Sequence, residues 1–151
     1  MYALPRTAEL QRPLTLPMTH PDRIRQELKD LGVSKLALST MESHYLPKVI
    51  HDDEPIGGVV YGFHADGFVM LVATDRRIIF LDRKPLFTNE DEVNYRVVSG
   101  VNLSHAGLGT TVVLHTRIKD YSLVTFNKKC AEGFVDFIEA RSVEQSDEEE
   151  K

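Results

Sequence analysis

The sequence has little of what usually marks a metal protein, a secreted protein or a membrane protein. Cys130 is its only cysteine, and it has no tryptophan. A single cysteine excludes an intrachain disulfide and a zinc site built from several cysteines. The longest uncharged apolar run, 67–73, is far shorter than the roughly 20 residues of a membrane-spanning helix. Because the first residues also lack the apolar core of a signal peptide, we expect a cytoplasmic protein.

The net charge is close to zero outside one segment. Residues 55–141 contain ten basic and ten acidic side chains, so this part of the chain is neutral. Residues 142–151 contain one Lys and five acidic residues, and they account for −4 of the net charge of −5. A neutral domain exerts no long-range attraction on nucleic acid, so we expect no nucleic-acid partner. The charged end is predicted to be a disordered acidic tail.

Patterns for catalysis and metal binding are missing as well. The six histidines lie at spacings that match no zinc signature, and no cluster of cysteine or acidic residues accompanies them. The sequence offers no nucleophile motif, no phosphate-binding glycine loop and no candidate pair of titratable groups. We therefore predict a non-enzymatic protein with no catalytic residues, no cofactor and no metal ion.

The N-terminal part of the chain is helical in pattern. Residues 1–18 are interrupted by prolines and are predicted to form an extended or disordered arm. Residues 19–50 are predicted to be a helical appendage, with Thr19 as the N-cap of its first helix and a second helix at 34–46. The first helix carries a narrow apolar stripe at helical spacing, formed by Ile24, Leu28 and Leu31.

The periodicity becomes strand-like near residue 55. Seven short apolar or alternating runs indicate strands, separated by turns and by a longer loop predicted at 82–92. An amphipathic helix follows, capped by Asn127 and predicted to end at 141. The predicted domain is 51–141, and its expected strands are 56–64, 68–73, 77–81, 93–97, 101–105, 110–116 and 121–126.

One run in this domain resembles a known family. Residues 67–82, G-F-V-M-L-V-A-T-D-R-R-I-I-F-L-D, form an apolar strand, then Thr-Asp-x-Arg, then another apolar strand. This pattern is similar to the bacterial pleckstrin-homology-like (PH-like) domains of the YokE type, and the resemblance covers roughly residues 40–141. It implies a mainly β fold, a seven-stranded antiparallel barrel or bent sheet capped by a C-terminal helix. It also implies no enzymatic activity.

The neutral domain and its helical appendage favour a binding or assembly module that acts through a protein partner or through self-association. The stripe of Ile24, Leu28 and Leu31 is the candidate interface, because so short a helix is stable only when it buries its apolar face. Docking of the same stripe onto its own domain is the other interpretation. The sequence leaves both open.

A second hypothesis is recognition of an anionic lipid headgroup or a small anion, and contact with a membrane surface is the less favoured alternative. Lys and Arg residues at this density can hold an anion. However, Asp75 and Asp82 flank the arginines, so local ion pairs that hold the turn are the preferred interpretation. The candidate ligand-binding residues of this alternative are Arg76, Arg77, Arg83 and Lys84.

Overall fold

A computed structural model describes residues 18–65 and 67–150, with side chains as far as Ser142. The predicted N-terminal arm, apart from Met18, therefore lies outside the described residues. In chain order the elements are α1 (His20–Asp30), α2 (Lys35–Leu38), α3 (Met41–Val49), β1 (Ile56–His64), β2 (Gly67–Thr74), β3 (Ile78–Arg83), β4 (Thr88–Val93), a 3-10 helix (Tyr95–Val97), β5 (Val98–Ala106), β6 (Gly109–Thr116), β7 (Asp120–Thr125) and α4 (Lys128–Glu150).

Three helices of the described residues precede the sheet, and each begins at a hydroxyl side chain. Thr19, Ser34 and Thr40 each accept a hydrogen bond from a backbone N–H of the first helical turn. The N-cap predicted at Thr19 is confirmed. The second helix, predicted as one segment at 34–46, is divided into α2 and α3, because the Thr40 cap starts a new helix.

The strands form one antiparallel sheet in the order β4-β3-β2-β1-β7-β6-β5. Each neighbouring pair is antiparallel, and β4 and β5 are the two edges. Within the described residues the sheet is therefore open rather than closed. The prediction of a mainly β, seven-stranded antiparallel fold with helices before it and one helix after it is confirmed.

The sheet has a hydrophobic core on each face of its first half. Along β2, Val69, Leu71 and Ala73 pack with α4, whereas Met70 and Val72 pack with the N-terminal helices. Alternate residues of a strand point to opposite faces, so a strand covered on both faces must be apolar throughout. This explains the unbroken apolar run that the sequence shows at 67–73.

The two halves of the sheet meet where β1 crosses β7. The paired residues at this point are Phe63 and Val124. A Cβ atom added to Gly62 would lie 2.0 Å from the carbonyl oxygen of Val124. Since no real Cβ approaches an oxygen so closely, only glycine lets the two backbones come together here.

The fourth strand differs from the sequence prediction. The segment 82–92, predicted as a loop, contains β4, and the predicted strand at 93–97 contains a 3-10 helix. β4 is an edge strand with mostly exposed polar side chains, so it has no apolar alternation to reveal it. The 3-10 helix starts because the Asn94 side chain accepts a hydrogen bond from the backbone N–H of Arg96.

The closing helix α4 packs on one face of the sheet, chiefly against β1 and also against β5. Asn127 caps it as predicted, since its side-chain oxygen accepts the backbone N–H of Cys130 at 3.1 Å. Phe134 and Ile138 are fully buried, as the apolar stripe predicts. The helix runs to Glu150, beyond its predicted end at 141 and through the segment predicted to be disordered. Glu and Gln, which are frequent there, have high helix propensity.

Candidate functional site

The four basic residues of the predicted anion site do not form one cluster. Arg76 and Arg77 lie just before β3, whereas Arg83 and Lys84 lie at its far end. A six-residue strand extends about 20 Å. The two pairs therefore sit at opposite ends of the strand.

Arg77 is held inside the protein by acidic partners. Its Nε and Nη2 atoms donate to the two carboxylate oxygens of Glu54 at 2.9 and 2.8 Å, in the two-pronged geometry that suits Arg and a carboxylate. Its Nη1 donates to Glu92 at 2.9 Å, and Nη2 also donates to the carbonyl oxygen of Val49 at 2.8 Å. These partners occupy the guanidinium group of Arg77.

The other three basic side chains also have local partners. Their contacts favour a structural role for these residues over a role in binding an anion. The Arg76 guanidinium pairs with Asp53 at 2.9 Å. The Arg83 guanidinium lies 4.4 Å above the Tyr45 ring and donates to Thr88. The Lys84 ammonium pairs with Asp82 and donates to the carbonyl oxygen of Phe68 at 3.1 Å.

The Thr-Asp-x-Arg pattern at 74–77 has a structural role in this fold. The Thr74 hydroxyl oxygen accepts the backbone N–H groups of Arg76 and Arg77, which closes the turn between β2 and β3. The same hydroxyl donates to Glu54 at 2.6 Å. Through Glu54 the turn is tied to the segment that enters β1.

Glu54 is completely buried, yet it is ionised. Burial alone would raise the pKa of its carboxyl group. Hydrogen bonds from Arg77, from Thr74 and from the backbone N–H of His51 outweigh that effect and lower the pKa to about 2. The buried carboxylate of Glu54 therefore joins the helices to the sheet through its hydrogen bonds.

The predicted interface stripe lies in the core. Ile24 and Leu28 are buried in the cluster that joins α1 to β1 and β2, and Leu31 is partly buried against the same cluster. The structure thus places these residues against their own domain. Ile24 and Leu28 present almost no surface to a second chain.

Cys130 also belongs to this core. Its thiol is buried and lies 3.4 Å from the carbonyl oxygen of Leu31. Burial raises the pKa of the thiol to about 11, although Lys129 acts in the opposite direction. A thiol with so high a pKa is almost entirely protonated at neutral pH, so Cys130 is a packing residue rather than a nucleophile.

An open cleft of about 560 Å³, which we call the apolar groove, lies where α2, the β1–β2 hairpin and the β7–α4 junction meet. Its volume falls in the range of small-molecule and cofactor pockets, about 300–1,000 Å³. No Asp or Glu of the described chain lines it. The lining residues are Ser34, Leu36, Ala37, Thr40, Tyr61, Gly62, Phe63, Phe68, Thr125, Phe126, Asn127 and Lys128.

Large apolar side chains are exposed around this groove. Leu36 is 84% exposed, Phe126 69% and Phe63 54%. The Phe63 ring also stands edge-on to Phe68, with centroids 6.2 Å apart. Single exposed apolar residues are ordinary, but several around one concave surface are typical of a binding site.

Polar groups at the groove satisfy one another. The Tyr61 hydroxyl accepts the side-chain N–H of Asn127 at 2.8 Å and the backbone N–H of Ser34 at 3.2 Å. The Asn127 side chain also donates to the carbonyl oxygen of Gly32 at 2.9 Å. These bonds fix the wall of the groove and leave its character apolar.

Sequence reasoning did not identify this groove. Leu36 falls in the helix predicted at 34–46, and Phe63 and Phe126 fall in the strands predicted at 56–64 and 121–126. Each residue looks ordinary within its own segment, and the three segments meet only after folding. The one local signal was an apolar residue, Phe126, directly before the cap of the closing helix.

The open seven-stranded antiparallel sheet with one closing helix is the architecture of a PH-like domain. A family model described as "Bacterial PH domain" matches residues 50–140. The chain belongs to this family, and the resemblance found in the sequence is confirmed.

The other comparisons add little to this. One similar solved structure is a DUF1696 family protein with a pleckstrin-homology domain from Shewanella loihica PV-4, at 20% sequence identity and a TM-score of 0.39. The match covers 68% of this chain and 90% of that chain. No curated protein matches this chain.

None of the helices described is both long enough and apolar enough to cross a membrane. The described residues also contain no group of three or more His, Cys, Asp or Glu side chains arranged to hold a metal ion.

Proposed function

We propose that this bacterial PH domain is a non-enzymatic, cytoplasmic binding module that recognises another polypeptide through the apolar groove. The observation that carries the proposal is the exposure of Leu36, Phe63 and Phe126 around one concave surface. Exposed aromatic and aliphatic anchors in a preformed cleft are typical of the centres of protein interfaces.

The construction of the groove supports this function. Its wall is held by the hydrogen bonds of Tyr61 and Asn127, so a ligand does not have to order it. Its lining combines residues of β1, β2 and β7 with residues of α2 and the β7–α4 junction. Apolar side chains of a partner would bury there at little conformational cost.

The anionic-headgroup alternative has weaker support. Arg76, Arg77 and Lys84 are each within ion-pair distance of a carboxylate of this chain, and Arg83 lies over an aromatic ring. A phosphate would have to displace those partners before it gained their hydrogen bonds. It would also find the four side chains divided between the two ends of β3.

The test is a selection of peptides from a random displayed library on the immobilised full-length chain. Binding of the enriched peptides is then measured with Phe126→Asp and with the matched control Ile118→Asp. Ile118 is 82% exposed in the turn between β6 and β7, outside the groove. We expect Phe126→Asp to weaken binding at least about tenfold and Ile118→Asp to leave it unchanged.

Two outcomes would contradict the proposal. One is a set of peptides that bind wild type and Phe126→Asp equally well. The other is flotation of the wild type with anionic phosphatidylglycerol vesicles that Arg83→Glu combined with Lys84→Glu abolishes, because that result supports the headgroup alternative. Light scattering of wild type and Phe126→Asp shows whether the partner is a second copy of this chain. Only in that case does the mutation lower the mass of the particle in solution, because it dissociates the oligomer.

A further inference from the structure

We infer that the polypeptide segment received by the apolar groove is acidic as well as apolar. This inference rests on the proposed function and adds the chemistry of the partner. It is carried by the charge at the groove: Lys128 lines it, Lys35 and Lys129 are next in sequence to lining residues, and no carboxylate is among the described lining residues.

The lysines come from two separate elements. Lys35 opens α2 between Ser34 and Leu36, two residues that line the groove, and its side chain is exposed. Lys128 opens α4 and itself lines the groove. Lys129 follows it and is also exposed.

These lysines are weakly engaged within the chain. The Lys128 ammonium lies 3.8 Å from Glu132, at the long limit of an ion pair, and the Lys128 side chain is 66% exposed. No salt bridge joins Lys35 or Lys129 to another of the described residues. The contrast is with Arg77 and Lys84, which have close carboxylate partners.

The α4 helix dipole acts in the same direction as the lysines. Lys128 is the first residue of α4, so the N-terminal, positive end of this helix lies at the groove. Carboxylates of a bound segment would be attracted by the lysines and by the helix end together. The apolar residues would supply the affinity, and the charges would supply selectivity and faster association.

Two segments of this chain fit the groove less well than an acidic segment of another protein. Residues 142–150 have the right charge, but Val143 is their only large apolar residue. Residues 1–17 contain several leucines, but their two arginines outnumber one glutamate. The first segment lacks anchors, and the second has the wrong sign of charge.

The experiment uses three fluorescein-labelled peptides with the same Leu and Phe anchors, separated by Glu, by Ser or by Lys. Fluorescence anisotropy gives their affinities for the full-length chain at low and high NaCl. We expect the Glu peptide to bind about tenfold more tightly than the Ser peptide at low salt, and the Lys peptide to bind most weakly. The difference should shrink as salt screens the exposed charges.

A charge reversal provides the matched comparison. Lys35→Glu combined with Lys128→Glu and Lys129→Glu should remove the preference for the Glu peptide over the Ser peptide. Arg96→Glu, an exposed reversal on the 3-10 helix outside the groove, should change nothing. Circular dichroism confirms that each variant folds. The salt dependence of peptide binding is measured on the wild type alone, so that test does not require any variant to fold.

The outcomes separate the inference from the proposed function. Equal affinity for all three peptides, with each lost in Phe126→Asp, would overturn the acidic partner and keep the groove as the binding site. A preference for the Lys peptide would do the same. Binding of none of the peptides, or binding unaffected by Phe126→Asp, would overturn both.

Discussion

At the scale of single residues, the ion pair of buried Glu54 with partly buried Arg77 links segments that are distant in the sequence. Arg77 donates two hydrogen bonds to Glu54, and Thr74 adds a third. Removing one partner of such a pair leaves the other charge buried with fewer partners. The joint between the helices and the turn before β3 therefore depends on one carboxylate.

We expect Glu54→Gln to lower the free energy of unfolding at pH 7 by about 3–5 kcal/mol. The folded pKa of Glu54, about 2, lies below its ordinary value of 4.5, so the ionised group stabilises the fold above pH 4.5. That contribution is lost as the pH falls from 4.5 towards 2. Urea unfolding at several pH values should show wild type and variant converging over this interval.

The control for this variant is Glu139→Gln, which changes an exposed carboxylate on α4. We expect it to change the free energy of unfolding by less than about 0.5 kcal/mol at every pH. A Glu54→Gln protein as stable as wild type at pH 7 would show that the buried carboxylate does not hold the joint.

Residue roles could be predicted when their partners are close in sequence. The caps at Thr19 and Asn127 follow from local pattern and are observed. The contact of Arg76 with Asp75 at 3.6 Å is local, whereas its closer partner Asp53, at 2.9 Å, lies 23 residues earlier. Glu54 was not singled out, because its partners lie 20 and 23 residues further along the chain.

At the scale of elements, the crossing of β1 and β7 depends on Gly62. Gly62→Ala would place a methyl group against the carbonyl oxygen of Val124, a backbone atom that cannot turn aside. We expect a loss of about 1–3 kcal/mol or more in chemical denaturation. Gly100→Ala is the matched control, because a Cβ added at Gly100 meets nothing within 4 Å.

If Gly62→Ala were as stable as Gly100→Ala, the two halves of the sheet could not be as close as described. The prediction does not involve a positive φ at Gly62, because only Gly32, Gly67 and Gly107 among the described residues have one. The expected loss comes from the contact alone.

The packing of α4 on the sheet gives a second prediction at this scale. Phe134 is fully buried, so Phe134→Ala should leave a cavity and cost about 3–5 kcal/mol. Phe126→Ala truncates an exposed ring just before α4 and should cost less than about 0.5 kcal/mol. Unfolding in guanidinium chloride gives the free energy of unfolding of both variants. A loss below about 1 kcal/mol for Phe134→Ala would mean that α4 does not complete the core.

The C-terminal part of α4 gives a third prediction at this scale. Residues 142–151 contain one large apolar residue and a run of acidic side chains, so their deletion should leave the melting temperature nearly unchanged. Differential scanning calorimetry of the shortened and the complete chain measures this. Unfolding of the shortened chain would show that the segment docks on the domain.

The order and type of most elements could be predicted because each has its own periodicity. The apolar run of β2 and the amphipathic stripe of α4 were found in this way. β4 was missed because the partners of its acidic side chains come from distant segments, with Arg77 holding Glu92 and Lys119 holding Asp91. Such pairs leave no local pattern.

At the scale of the whole molecule, the N-terminal helices share one core with the sheet. Ile24 and Leu28 are buried there, so the stripe that could have served as an interface stabilises the domain instead. Three exposed apolar side chains, Leu36, Phe63 and Phe126, lie around the groove, which is built from three segments far apart in the sequence. The family and the architecture could therefore be predicted, whereas the candidate site required the structure.

The proposed function depends on the groove being the surface that a partner contacts. The most direct measurement is an NMR titration of the isotope-labelled full-length chain with a peptide selected on the wild type. We expect the signals of Leu36, Tyr61 and Phe126 to move with the fraction bound, while those of Ile118 stay in place. Shifts confined to Arg83 and Lys84, or centred on Ile118, would contradict the assignment of the apolar groove as the binding site.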